Sequence, residues 1–309
     1  MKRVRHWLRP LALIAAAAMI SMSSTDVAAQ ERHVRAFEAD ENLPTELAQI
    51  EKNNTDRTGD APRSFFKKRG ICPAQLEPAI DNILDRSTFT SGRWGVLIES
   101  LDGETIFYNR NGEGYFIPAS NIKLFTTAAA LQLHPSEQRI RSLPLKDWVM
   151  VINKRSDNGY ADTLLRDLGG SKIAKQALTS FGIDPNRYRL IDGSGLSRSN
   201  MVTPVDVVKI LRIMNSDKEG ALFRASLPVA GVSGTLKNRM RATPAQGIVQ
   251  AKTGTLRGVK ALSGYMDHPE YGTIVFSIIV NQLGQSNSVL TTTIDRIVLL
   301  LTQLQSCNE

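Results

Sequence analysis

The chain has 309 residues, of which 42% are hydrophobic and 22% are charged, a composition that excludes collagen-like, coiled-coil and wholly disordered proteins. This length is enough for one large domain or for two lobes that share a core. The formal net charge of +8 suits an anionic polymer as a partner.

The first 29 residues have the features of a secretory signal peptide. Four Lys or Arg residues precede an apolar run from Leu11 to Met22, and small residues follow as far as Ala29. The run has 12 residues, fewer than the roughly 20 that cross a bilayer, so we expect no stable membrane span. Cleavage after Ala29 would release the protein into the periplasm or the cell-wall compartment. Export also argues against nucleic acid as a partner.

Residues 30–70 are charged and lack sustained periodicity, so we expect a mobile arm to which no function is assigned. A folded domain over residues 71–309 is predicted to follow. Its first segment, residues 72–86, has apolar side chains at helical spacing. These side chains are Leu76, Ile80, Ile83 and Leu84.

Residues 93–112 contain two β-rich runs joined at Asp102-Gly103, a dipeptide suited to the positive φ angles of a tight hairpin. Further along the chain, two short helices are predicted to end at Gly169 and Gly182, and a third has Thr203 as its cap. We therefore expect residues 120 to about 245 to be mainly helical.

The last third of the chain returns to strands. Residues 247–256, 258–266 and 271–281 are rich in β-branched residues and are separated by short turns, and residues 289–305 have helical periodicity. Short connections favour an antiparallel sheet. We predict an α+β fold with a five-stranded antiparallel sheet flanked by the N- and C-terminal helices.

The two ends of the domain build this sheet. The sheet lobe is predicted to comprise residues of about 71–118 and 246–309, and a helical lobe of about 119–245 is inserted between the second and third strands. A cleft between the two lobes is the expected place for an active site.

The chain contains two cysteines, Cys72 and Cys307, one near each end of the predicted domain. A cysteine pair in an oxidising compartment is more often bridged than free. Terminal helices often lie side by side, so we predict a Cys72–Cys307 disulfide. Two separate thiols are the alternative.

The segment "PASNIKLFTTAAAL" carries Ser120 and Lys123 at the start of an apolar helix. Positions i and i+3 share one face of a helix, so the amine can reach the hydroxyl. A serine becomes a good nucleophile beside a base, and burial or nearby positive charge makes a lysine such a base by lowering its pKa. By itself, this pair is more often a helix-capping serine followed by a solvated lysine.

Two further segments strengthen the catalytic interpretation. Ser156, Asp157 and Asn158 begin a predicted helix, and "QAKTGTL" places residues 252–255 on a predicted strand. Each segment alone reads more simply as a helix cap or an edge strand. Three such motifs in this order are rare by chance.

In this combination the chain resembles the penicillin-binding proteins and class A β-lactamases, whose signature is SxxK, SDN and KTG. It is most similar to the D-alanyl-D-alanine carboxypeptidases and endopeptidases of the class C low-molecular-mass penicillin-binding proteins. The resemblance extends over residues of about 93–300 and includes "DGSGLSR" at residues 192–198, to which we assign no chemical role. It implies a β-lactamase/transpeptidase-like fold.

The resemblance also implies catalytic roles for particular residues. Ser120 would attack the carbonyl between two D-alanines and become acylated, and Lys123 would take its proton. Ser156 would protonate the departing nitrogen, and Asn158 would bind the substrate's peptide amide.

On the third motif, Lys252 would supply positive potential, while the Thr253 and Thr255 hydroxyls would bind the terminal carboxylate. Gly254 would let the substrate backbone approach the strand. The backbone N–H groups of Ser120 and Thr255 would form the oxyanion hole.

The implied substrate is a peptidoglycan stem peptide, and β-lactam antibiotics would be covalent inhibitors. A β-lactamase is an alternative, but no "ExxLN" segment follows Ser156. A non-catalytic peptidoglycan-binding relative is a second alternative. The four histidines lack metal-ligand spacing, so we expect neither a metal site nor a cofactor.

One feature departs from the family pattern. Class C enzymes usually carry a long insert between the first two motifs, whereas Ser120 and Ser156 are only 36 positions apart. The segment "LHPSEQRIRSLPLKD" bridges the missing insert. Such inserts tend to be surface additions, so we expect the two-lobed core to persist. A displaced second motif would lower the rate.

Overall fold

The structure, a computed structural model, describes residues 70–86 and 92–307. The predicted signal peptide and all but the last residue of the predicted arm lie outside the described residues. Among the residues that are described, no helix has the length and apolar character needed to cross a membrane.

The described residues form seven strands and eight α-helices. The strands are β1 (Arg93–Ser100), β2 (Ile106–Arg110), β3 (Arg139–Ile140), β4 (Leu143–Pro144), β5 (Val249–Leu256), β6 (Val259–His268) and β7 (Gly272–Asn281). The helices are α1 (Pro73–Leu84), α2 (Ile122–Leu133), α3 (Leu145–Met150), α4 (Asn158–Asp167), α5 (Ser171–Ser180), α6 (Pro204–Ser216), α7 (Gly220–Ala225) and α8 (Asn287–Leu301).

Five strands form one antiparallel sheet in the order β2-β1-β7-β6-β5. This confirms the predicted five-stranded sheet, in which the second and third strands are separated by a long helical insertion. Strand β5, which carries the third motif, lies at the edge of the sheet. Its outer backbone groups are therefore available to other parts of the chain or to a ligand.

Helices cover both faces of the sheet. Alternate residues of β6 show this clearly, since Leu262 and Met266 belong to the core shared with α1 and α8. Tyr265 points the other way and donates its hydroxyl to the carbonyl of Leu211 in α6, at 2.5 Å. Burial on both sides explains why β7 is a nearly continuous apolar run instead of an alternating one.

The hairpin between β1 and β2 forms as predicted, but its loop is longer than a two-residue turn. Residues 101–105 connect the strands, and Gly103 alone in this loop has a positive φ, at 80°. The Asp102 carboxylate accepts the N–H of Glu104 at 2.9 Å, which closes the loop through a side chain.

The helix predictions are confirmed, with small differences at the ends. The two short helices end just before Gly169 and Gly182, which have φ angles of 94° and 83°. Thr203 caps α6 by accepting the N–H of Asp206 at 3.0 Å. The last helix begins at Asn287 and ends at Leu301, earlier than its predicted bounds.

The region of residues 120–245 is less helical than predicted. Residues 181–203 and 226–248 contain no α-helix; most of their backbone forms turns and isolated bridges. These irregular stretches bear directly on the candidate site, because they include the "DGSGLSR" loop and the segment beside the outer edge of β5.

A disulfide joins Cys72 to Cys307, the pairing expected from the sequence, with Cα atoms 5.6 Å apart. Next to it, the Ile71 N–H donates to the Gln303 carbonyl, and the Ile71 carbonyl accepts the Gln305 N–H. The start of α1 and the segment after α8 are thus fixed to each other.

Candidate active site

Ser120 lies in a tight 3₁₀ turn, Ala119–Asn121, immediately before α2. Ala119 has a φ of 48°, in the left-handed region that alanine seldom adopts. Close packing holds this turn, because a Cβ atom added to Gly195 would lie 2.0 Å from the Ala119 carbonyl oxygen. The nucleophile candidate therefore stands on a constrained backbone.

Lys123, in the first turn of α2, is fully buried. Its Nζ lies 2.9 Å from Ser120 Oγ and 2.8 Å from Asn158 Oδ1, and it also donates to the Ser194 carbonyl. A neutral amine has two N–H bonds and one lone pair. If the amide and carbonyl oxygens accept both N–H bonds, the lone pair is left for the Ser120 hydroxyl proton.

Burial lowers the pKa of Lys123 to about 8. The negative charges of Asp162, Asp157 and Asp192 act in the opposite direction and keep the pKa from falling further. The neutral form of the amine, which a general base requires, is therefore much more populated near pH 7 than in an ordinary lysine.

Ser156 links a π-helical turn, Val151–Arg155, to α4. Its φ of 63° is left-handed, a conformation that costs a non-glycine residue about 1–2 kcal/mol. The next residue, Asp157, is the N-cap of α4 and accepts the N–H of Tyr160 at 2.9 Å. The helix cap and the catalytic motif are thus the same short segment.

Lys252, on β5, is fully buried and donates to Ser156 Oγ at 2.7 Å and to the Thr253 carbonyl at 3.0 Å. Burial, reinforced by the positive charge of Lys123, holds the pKa of Lys252 well below its usual range. Like charges repel, so a protonated Lys123 favours the neutral form of the Lys252 amine.

The outer edge of β5 presents backbone groups to the cleft. The N–H of Ala251 donates outward to the Pro228 carbonyl, and backbone groups alternate in direction along a strand. The N–H groups of Thr253 and Thr255 therefore point to the same outer edge. Gly254 faces the turn that carries Ser120, where an added Cβ would lie 2.7 Å from the Pro118 carbonyl oxygen.

Both threonine hydroxyls of this strand have hydrogen-bond partners. Thr253 Oγ1 lies 2.7 Å from Thr235 Oγ1, and Thr255 Oγ1 accepts from Lys260 Nζ at 2.9 Å. Neither Thr235 nor Lys260 belongs to the three sequence motifs. Thr235 lies in a 3₁₀ turn, Gly234–Leu236, and Lys260 is placed by the register between β5 and β6.

The "DGSGLSR" loop, to which no chemical role was assigned from sequence, supplies the third contact of the Lys123 amine through the Ser194 carbonyl. Asp192 folds this loop by accepting the N–H groups of Gly195 at 2.7 Å and Ser197 at 2.6 Å. Asp162 accepts the Ser194 N–H at 2.8 Å, and its own pKa is raised by burial. The sequence signal for the loop was an Asp before a Gly-Ser-Gly turn, typical of side-chain-capped turns.

Side-chain hydrogen bonds thus link the three motifs to one another. The Ser120 hydroxyl, the Lys123 amine and the Asn158 amide form one hydrogen-bonded group, and Ser156 with Lys252 forms a second. Among residues 70–86 and 92–307 no group of His, Cys, Asp and Glu could hold a metal ion.

A Ser–Lys turn that faces the edge strand of a five-stranded antiparallel sheet defines the class of protein. This is the β-lactamase/transpeptidase-like class of active-site serine proteins. Comparison with solved structures agrees. Penicillin binding protein 4 (dacB) of Haemophilus influenzae matches with a TM-score of 0.63 and 16% identity, over 75% of this chain and 99% of that chain.

A class A β-lactamase of Bacteroides cellulosilyticus matches with a TM-score of 0.57 and 20% identity, over 75% of this chain and 99% of that chain. At these identities the likeness establishes the fold. The family is established by sequence, because the model of the D-Ala-D-Ala carboxypeptidase 3 (S13) family matches residues 76–141 and 138–304. The chain belongs to this family.

Curated relatives agree with the family assignment. A D-alanyl-D-alanine carboxypeptidase of Actinomadura sp. strain R39 is 43% identical over 156 residues, 45% of this chain and 29% of that protein. The carboxypeptidase DacB of Haemophilus influenzae is 32% identical over 154 residues, 45% of this chain and 32% of that protein. The chain therefore spans about a third of the length of these relatives.

The two segments of the family match meet at residues 138–141, between the first two motifs. At this position the chain lacks the insert that class C enzymes usually carry. In the structure, the β3–β4 hairpin occupies this place, with Arg141 at a φ of 54°. The short connection leaves Asn158 within hydrogen-bonding distance of Lys123.

Proposed function

We propose that this protein is a serine-type D-Ala-D-Ala carboxypeptidase that acts on peptidoglycan stem peptides through an acyl-enzyme at Ser120. The observation that carries the proposal is the buried Lys123 amine, which lies 2.9 Å from the Ser120 hydroxyl and is also hydrogen-bonded to the Asn158 amide oxygen and the Ser194 carbonyl. Membership of the carboxypeptidase family supports the choice of substrate.

In the acylation step, Ser120 Oγ attacks the carbonyl carbon of the penultimate D-alanine while Lys123 Nζ takes the hydroxyl proton. The carbonyl oxygen gains negative charge and is stabilised by the N–H groups of Ser120 and Thr255. Donors of this kind are each worth about 3–4 kcal/mol in related chemistry. Asn158 orients the peptide through its side-chain amide.

The tetrahedral adduct then loses the terminal D-alanine. Ser156 gives its proton to the departing nitrogen and regains one from the protonated Lys123, so the proton count balances. Lys252 stabilises Ser156 Oγ during this transfer. Water then attacks the acyl-enzyme while Lys123 takes its proton. Lys123 returns this proton to Ser120 Oγ as the acyl bond breaks, which releases the shortened peptide and restores both side chains.

The third motif binds the substrate's end. Thr253 and Thr255 present hydroxyl groups for the terminal carboxylate, and Gly254 leaves room for the substrate backbone beside β5. In this proposal β-lactams acylate the same serine, as the complex of a novel β-lactam with Haemophilus influenzae penicillin binding protein 4 suggests by analogy of fold.

The location follows from the predicted signal peptide. We infer that residues 1–29 direct export to the periplasm or cell wall, that residues 30–70 form an arm, and that residues 71–309 form the peptidase domain. Within this domain the sheet lobe (about 71–118 and 246–309) and the helical lobe (about 119–245) enclose the cleft.

Release of D-alanine from an acyl-D-Ala-D-Ala peptide tests the function, with Ser120→Ala as the control. We expect release by the parent protein and none by the variant. Rapid hydrolysis of nitrocefin without D-alanine release would instead identify a β-lactamase. A folded parent protein that releases no D-alanine but binds peptidoglycan equally well with and without Ser120 would identify a non-catalytic binding protein.

A further inference from the structure

Lys260 lies beside the third motif without belonging to it. It is on β6 directly opposite Thr255 in the antiparallel register, so both side chains project from the same face of the sheet. Its Nζ donates to Thr255 Oγ1 at 2.9 Å. A cationic group is thus attached to the outermost hydroxyl of the strand that borders the cleft.

The charge of Lys260 is not balanced by an acid. Within the described parts of the chain, its ammonium group contacts the Thr255 hydroxyl and no carboxylate. The neighbouring cation, Arg239, is already paired with Asp295 at 2.5 Å. A half-buried ammonium group without a counter-ion is unfavourable in the free protein and favours an anionic ligand.

The Lys260 ammonium group is placed where it could contact the C-terminal carboxylate of the peptide substrate. Thr253 and Thr255 lie two residues apart on one strand, so their side chains share one face and are separated by about 7 Å. A carboxylate held at the Thr255 hydroxyl comes within reach of Lys260 Nζ, which donates to that same oxygen atom. Burial and the charge of Arg239 lower the pKa of Lys260, which is consistent with a site that gains from an added anion.

We propose that Lys260 is a specificity-determining residue that binds the terminal carboxylate of the peptide substrate together with Thr255. This inference rests on the proposed carboxypeptidase function and adds a residue outside the three motifs to it. Lys260 contacts the substrate's end and takes no part in bond breaking, so its loss weakens recognition of the carboxylate and leaves the nucleophile intact.

The test compares two substrates that differ only at the carboxylate. One is an acyl-D-Ala-D-Ala peptide and the other is its C-terminal methyl ester, each assayed with the parent protein and with Lys260→Met. We expect Lys260→Met to lower kcat/KM for the free acid by roughly tenfold or more. For the ester we expect a change of less than about twofold, because esterification already removes the contact.

Two control variants make the result specific. Lys260→Arg retains a cation and should recover most of the activity on the free acid. Lys172→Met removes an exposed lysine from α5 and changes the net charge equally, so it should leave both substrates unaffected. The midpoint of thermal unfolding of each variant reports whether the fold is retained.

The outcomes separate this inference from the proposed function. If the parent protein is active and Lys260→Met loses the same factor on acid and ester, or nothing on either, Lys260 is an ordinary cross-strand residue and the inference is wrong. If the folded parent releases neither D-alanine from the acid nor D-alanine methyl ester from the ester and takes up no penicillin, the proposed function itself is wrong.

Discussion

Replacing Asp162 by asparagine tests whether the Lys123 amine is the base. Asp162 accepts the Ser194 N–H at 2.8 Å, and among the carboxylates its charge is the largest influence that raises the pKa of Lys123. Asparagine keeps an oxygen acceptor for the same N–H and removes the charge. The pKa of Lys123 should therefore fall below its value of about 8.

The size of the effect follows from the fraction of neutral amine. With a pKa of about 8, roughly a tenth of Lys123 is neutral at pH 7, whereas an ordinary lysine is neutral in fewer than about one molecule in a thousand. At an effective dielectric constant of about 20, one unit charge roughly 8 Å away is worth about 2 kcal/mol. Removal of the Asp162 charge should therefore lower the midpoint of the Lys123 titration by roughly one pH unit.

The assay is the rate of Ser120 acylation by a fluorescent penicillin as a function of pH. Because the neutral amine is the active form, the rate should rise with pH and level off above the midpoint. In Asp162→Asn the midpoint should move to lower pH, and the rate at pH 7 should increase several-fold.

Asp167→Asn is the matched control. Asp167 lies on the same helix, but its partner is Arg141 at 2.6 Å and it does not influence the pKa of Lys123. We expect its pH profile to coincide with that of the parent protein. An Asp162→Asn midpoint that is unchanged, or that moves to higher pH, would refute the assignment of Lys123 as the base.

Three further predictions concern the geometry around the site. Ser156→Gly should slow acylation by roughly a hundredfold or more, since the proton donor is lost. Its unfolding free energy should stay within about 1 kcal/mol of the parent value in denaturant titrations, because glycine adopts the positive φ readily. Replacing Cys72 and Cys307 by serine should lower the unfolding free energy by about 2–5 kcal/mol, with penicillin acylation retained below the unfolding temperature. Gly195→Ala should reduce acylation by roughly a hundredfold, because its Cβ displaces the turn that carries the nucleophile. Gly170→Ala, which has a similar φ of 84° but open space around it, should cost only about 1 kcal/mol of stability and no activity.

Much of the sheet could be predicted from local signals. Strands β5, β6 and β7 are separated by short turns and rich in β-branched residues, so their antiparallel neighbours follow from chain order alone. The early pair, β1 and β2, was visible as a hairpin. The β3–β4 hairpin could not be predicted from sequence, because each of its strands has only two residues and therefore no periodic pattern.

The candidate catalytic residues could be named from motifs, but their contacts could not be predicted. Lys123 and Ser120 share a helical face by spacing, so their proximity was predictable. The Ser194 carbonyl, in an irregular loop held by Asp192, contacts the same amine. Hydrophobic periodicity in the sequence cannot predict such a backbone contact. This loop lies within residues 181–203, which contain no α-helix.

The pairing of Lys260 with Thr255 illustrates a second limit. It depends on the register between β5 and β6, and a shift of one residue would place Lys260 on the other face of the sheet. Turn length sets that register, and the sequence "TLRGVK" admits more than one turn. The structure resolves the choice with a turn at Arg257-Gly258, where Gly258 has a φ of 70°.

The most direct test of a lysine-activated serine at this cleft is the intact mass of the protein after exposure to penicillin, followed by peptide mapping. We predict one covalent adduct per chain, located on Ser120 and absent from the Ser120→Ala variant. A folded, monodisperse parent protein whose mass is unchanged, or whose adduct lies on another residue, would contradict the proposal.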